Sequence, residues 1–94
     1  MITGRRDDCA RLWWVNERAY LRARVARFAD AERGARERAT YYRERMSECV
    51  DHHERSAVVD HYRHLAEACD AKAAANALRL AGARLRLAQH MAWR

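Results

Sequence analysis

Trp14, Leu21, Phe28, Ala35, Tyr42 and Cys49 recur at seven-residue intervals, and Val25, Ala39 and Met46 follow three of them by four residues. An α-helix returns to nearly the same face after seven residues, so this spacing predicts one apolar stripe on one helix. The chain contains no proline and only three glycines, Gly4, Gly34 and Gly82, so little interrupts it. The register passes through Gly34 unchanged. We therefore expect a continuous helix over about residues 6–50, roughly 65–70 Å long at the α-helical rise. A C-cap at Gly34, giving a three-helix bundle, is the alternative.

Beyond Val50 the same register meets His53, Ser56 and Asp60, and the stripe ends. A turn is expected at about 51–56. Asp51 with Glu54 three residues on has the form of a capping box, and Ser56 is a second N-cap candidate for a helix over about 57–92. That helix carries its own seven-residue repeat. Val59, Ala66, Ala73, Leu80 and Leu87 form one line, and Tyr62, Cys69, Asn76, Ala83 and His90 lie three residues after each. Alanines let a facing helix come close, and a single asparagine in such a seam sets register or oligomer state.

The fold class that follows is all-α, a long antiparallel helical hairpin forming one helical domain over 1–94. Two thin helices enclose little core, and Cys9, Trp13 and Tyr20 place a second apolar face about 100° from the main stripe. We accordingly expect two hairpins to pair as a homodimeric four-helix bundle. Its seam would use Trp14, Leu21, Phe28 and Tyr42 from the first helix. Ala66, Ala73, Asn76, Leu80 and Leu87 would come from the second.

Charge is segregated along the chain. Residues 1–29 carry a balance of +4, residues 30–71 a balance of −3, and 72–94 five basic residues with no acid, giving +6 in all. A hairpin turned at 51–56 brings both basic ends together and leaves the acidic middle at the turn. Trp13, Trp14, Tyr20, Met91 and Trp93 gather at the same open end. Basic and aromatic groups together suit an acidic protein patch, an anionic membrane surface or nucleic acid. Arginine supplies 18 of the 19 basic residues; with abundant alanine, this is the composition of a high-GC bacterium or its phage. Within the helices, Arg33 with Glu37 and Arg63 with Glu67 have the spacing of intrahelical ion pairs.

Cys9, Cys49 and Cys69 are odd in number and widely spaced with no CxxC pair, which argues against a disulfide framework or a zinc ribbon and marks them as small buried apolar residues. No run is long enough to cross a bilayer, and the first residues lack the apolar core of a signal peptide, so a cytoplasmic protein is expected. Chemistry is sparse. His53, Asp60 and His64 are weak metal candidates near the turn, but neither the Glu-x-x-His spacing of di-iron bundles nor an HExxH occurs there. Phosphate-loop and nucleophile-elbow motifs are missing as well, so no cofactor and no enzymatic activity are expected.

The expected function is that of a protein-interaction module: an adaptor, inhibitor or assembly component binding a protein partner through Trp13, Tyr20, Arg79, Arg84, Arg86 and Trp93. A nucleic-acid-binding accessory protein using the same basic, aromatic end is the alternative. A metal-binding bundle using the turn is the second.

Overall fold

Two helices, α1 (Ile2–Asp51) and α2 (Ser56–Ala92), joined by a four-residue turn, make up the computed structural model, which describes residues 2–92. The chain is a long antiparallel hairpin, 78 × 15 × 14 Å, with a radius of gyration of 21.7 Å. A compact domain of this length would have a radius of about 12 Å. No described helix is long and apolar enough to cross a membrane. Gly34 lies inside α1, which runs through it without a break, and the three-helix alternative is thereby excluded.

The seven-residue stripes meet along the hairpin axis. Leu21, Ala35, Ala39 and Cys49 of α1 and Ala66, Cys69, Ala73, Leu80 and Ala83 of α2 are buried. Five of these nine are alanine and only two are leucine. The interior is thin, and it stabilises the hairpin by close backbone approach as much as by buried area. Half-buried Trp14, Phe28, Tyr42, Asn76 and Leu87 continue the same lines. Tyr42 meets Tyr62 across the interface with ring centroids 6.3 Å apart. Asn76 does not reach across: its Nδ2 donates to the Lys72 carbonyl one turn back, at 3.0 Å, so the amide is satisfied within its own helix.

At the turn, α1 ends in a Schellman arrangement. The Glu54 N–H donates to the Cys49 carbonyl (2.9 Å) and the His53 N–H to the Val50 carbonyl (3.1 Å). His53 occupies the left-handed position, φ 55°, where glycine is the usual residue. His52 Nδ1–H donates to the Glu48 carbonyl at 2.8 Å, a second bond to an oxygen that already accepts the His52 backbone N–H at 3.0 Å. The expected capping box is therefore replaced. Asp51 is the last residue of α1, Glu54 closes the Schellman turn, and Ser56 lies inside the first turn of α2. The Arg55 carbonyl accepts the first helical bonds, from Val58 (2.9 Å) and Val59 (3.3 Å), so the N-cap position belongs to Arg55.

Surface ion pairs run along the helices, but not between the expected partners. Arg33 pairs back with Asp30 and Arg63 with Asp60, so Glu37 and Glu67 are not used. A basic residue three positions after its acid reaches it over one helical turn, as four does. Arg36 with Glu32 and Arg45 with Glu48 add two more, each at 2.8 Å. Arg43 with Asp70 joins the two helices. Apart from Glu32, which is half-buried, the paired side chains are exposed, and such surface pairs contribute about 0–1 kcal/mol apiece.

Candidate interaction surface at the open end

The two helices do not end flush. Near its C-terminus α2 packs on Trp14, and residues 2–12 of α1 continue past that contact without a neighbouring helix. The junction is held by His90, whose ring stacks on Trp14 at 5.0 Å between centroids and 23° between planes. Its Nε2–H donates to the Trp14 carbonyl at 3.1 Å. Arg18 closes the other side of the contact. Its guanidinium lies 4.3 Å from the Trp14 ring centroid, and its Nε–H donates to Met91 Sδ at 2.8 Å. Trp14 is thus committed to holding the helices together.

Trp13, one residue earlier, is not. It is 58 % exposed, and with Glu17, Leu21, Arg86, Gln89 and His90 it lines an open groove of about 440 Å³ between the helices. Leu12, Val15 and Tyr20 are exposed to a similar degree. The Tyr20 hydroxyl accepts a hydrogen bond from Arg24 Nη1 at 3.1 Å, which fixes the ring on the helix surface. The result is a set of exposed apolar and aromatic side chains along residues 12–20 of α1, with Leu12 and Val15 on one side beside Asp8 and Arg11, and Trp13 on another where it meets Arg86 and His90 of α2.

The other residues singled out from sequence divide. Arg79 and Arg86 share one flank of α2, being seven residues apart. Arg84 lies on the opposite side, lining a second groove of about 380 Å³ with Ala29, Glu32, Arg33, Arg36, Glu37, Thr40 and Leu80. Trp93 falls outside the described residues. Of the expected seam residues, Leu21, Ala66, Ala73 and Leu80 are buried within the one hairpin, Trp14 and Tyr42 make ring contacts from α1 to α2, and Phe28, Asn76 and Leu87 are half-buried. Cys9 is exposed, contrary to the expectation of burial, because α2 does not reach it; Cys49 and Cys69 are buried as expected.

At the turn, His53 and His64 are exposed and Asp60 is paired with Arg63. Among the described residues, no three His, Cys, Asp or Glu side chains come together as a metal-holding group. The Arg45 guanidinium nearby is held above arginine's ordinary pKa, chiefly through its hydrogen bond to Tyr62. His90 was not among the residues marked for function in the sequence; only its place in the α2 repeat pointed toward the interface.

The chain matches no protein-family model, no curated protein and no solved structure. The reading of function rests on its own surface.

Proposed function

We infer that the protein is a helical-hairpin interaction module, an adaptor, inhibitor or assembly component, that docks a protein partner through its open end. The observation that supports this is the exposure of Leu12, Trp13, Val15 and Tyr20 on α1 around the point where α2 ends. Large apolar side chains clustered at a helix end, rimmed by arginines, fit a partner with an apolar pocket bordered by carboxylates. The basic stretches 2–29 of α1 and 72–92 of α2 lie along the same half of the hairpin and favour an acidic rim on the partner. The three cysteines are unpaired, which suits a reducing compartment, and we place the protein in the cytoplasm.

The competing reading, a nucleic-acid accessory protein, uses the same end with Trp13 and Tyr20 as stacking platforms and the arginines on phosphates. Affinity capture from the native host, with and without nuclease and at low and high salt, separates the two. Docking of a protein predicts a bound species that survives nuclease and high salt and is lost with Trp13→Ala or Tyr20→Ala. Recovery of nucleic acid that is lost with salt and with Arg79, Arg84 and Arg86 changed to Glu would replace this reading with the other. Light scattering on the purified chain tests in parallel whether two hairpins pair.

A further inference from the structure

The two long sides of the hairpin carry their arginines differently. Trp13, Glu17, Arg86 and Gln89 line one groove between the helices, which fixes the flank that each helix turns to that side. Steps of seven from Glu17 place Arg24, Ala31 and Arg38 on that flank of α1, and the same steps from Trp13 place Tyr20, Arg27 and Gly34. Steps back from Arg86 place Arg79 and Lys72 on the matching flank of α2. Among the described residues, none of these six cations pairs with a carboxylate, whereas Arg33, Arg36, Arg43 and Arg63 on the opposite side all do. The acids in these rows stand at their ends: Glu17 toward the open end, and Glu48, already paired with Arg45, toward the turn.

The six cations form a track. Trp14 lies opposite His90 and Tyr42 opposite Tyr62, a constant register that sets Arg86, Arg79 and Lys72 level with about residues 18, 25 and 32 of α1. From Arg86 to Arg38 the cations thus alternate between α2 and α1 over about 30 Å, one roughly every 5 Å. Small residues lie among them: Ala31 and Gly34 on α1, and Ala75 and Gly82 in the row of Gln89 on α2. A Cβ at Gly82 would meet nothing within 4 Å, so the trough stays open. One donor of the track is left unsatisfied by the hairpin alone. The Arg24 guanidinium lies 5.2 Å from the Phe28 ring centroid and 5.7 Å from that of Tyr20, and its Nε is buried with no acceptor.

The spacing of the charges decides the occupant. A helix with a carboxylate at every third or fourth position carries one negative charge per about 5 Å, which matches the track charge for charge. Duplex nucleic acid carries one per about 1.7 Å and would leave most of its phosphates unanswered. A lipid surface is flat and does not enter a trough between two helices, whereas a third helix packs there. A second copy turned face to face sets cation against cation. We propose that this side of the hairpin docks an acidic helix of a protein partner, with glutamate or aspartate at spacings of three and four along the face that enters the trough. The proposal rests on the reading of the chain as a protein-docking module and adds where the partner's acidic segment lies.

The test is a calorimetric titration of the full chain with a synthetic peptide of about four heptads, carrying glutamate at spacings of three and four on one face and alanine and glutamine elsewhere. A matched peptide with lysine for glutamate is the control. Neither peptide has a large apolar side chain, so the result is independent of the apolar contacts at Trp13 and Tyr20, which the capture experiment tests separately. The glutamate peptide should bind at low salt and the lysine peptide should not. Arg79→Gln with Arg86→Gln should weaken binding roughly tenfold. Arg22→Gln with Arg33→Gln, which removes the same charge from the opposite side, should bind as the parent does. Failure of the glutamate peptide to bind would overturn the proposal. Equal weakening by the two double variants would also overturn it, by showing that net charge alone attracts the peptide. So would tighter binding of an oligonucleotide of about ten thymidines, or of phosphatidylserine vesicles, lost with Arg79→Gln and Arg86→Gln, because the side would then belong to nucleic acid or lipid.

Discussion

His90 lies flat against Trp14, with ring centroids 5.0 Å apart, and donates its Nε2–H to the carbonyl of the same residue. One side chain of α2 thereby satisfies a polar contact and an aromatic contact at the point where α1 leaves its neighbour. Residues 2–12 of α1 lie beyond this clasp.

His90→Ala should therefore destabilise the hairpin by about 1–2 kcal/mol, combining one aromatic pair with one hydrogen bond. Urea unfolding followed by circular dichroism measures the loss. Hydrogen exchange should show it concentrated at the open end, leaving the turn unaffected.

Much of this architecture is legible in the residues alone, for a physical reason. Trp14 through Cys49 keep one register over five repeats, and a stripe that long specifies a helix whatever its neighbours do. The reversal after Val50 is legible for the converse reason, since His53, Ser56 and Asp60 break the register. The way it closes is not. Asp51 and Glu54 have capping-box spacing, yet a histidine accepts the left-handed position and a Schellman turn consumes both residues. From Ala71 onward α2 is apolar on both sides, and the register carried in from Val59, Tyr62 and Ala66 is what picks out the side that meets α1. Periodicity does not locate the end of α2 against α1, and so the exposure of Cys9 beside a held Trp14 is not legible.

The alanine interior makes a second prediction. Ala39 and Ala73 are each 1 % exposed, and neither has room for a larger side chain. Ala39→Leu or Ala73→Leu should cost about 1–3 kcal/mol by overpacking. The exposed Ala68→Leu should change stability by less than about 0.5 kcal/mol in the same urea titration.

Backbone conformation makes a third. His53 holds a positive φ that costs an L-residue about 1–2 kcal/mol. His53→Gly should stabilise the protein by about 0.5–1 kcal/mol, after allowing for the greater unfolded-state freedom of glycine. A shift of the urea midpoint to lower concentration would show that the histidine contributes more than it strains.

The helical glycines make a fourth. A Cβ at Gly34 would meet only the flexible end of Arg38, at 3.3 Å, and one at Gly82 would meet nothing within 4 Å. Gly34→Ala and Gly82→Ala should each raise the unfolding free energy by about 0.5–1 kcal/mol, and the two should add because the sites are far apart. Thermal unfolding of the single and double variants checks both statements.

Small-angle X-ray scattering with in-line light scattering tests the single chain reversal most directly. A long hairpin predicts a maximum dimension close to 78 Å, whether one hairpin is present or two lie side by side, and a single hairpin predicts a radius of gyration near 21.7 Å. A monomer with a radius of about 12–15 Å, the size of a compact bundle, would contradict it.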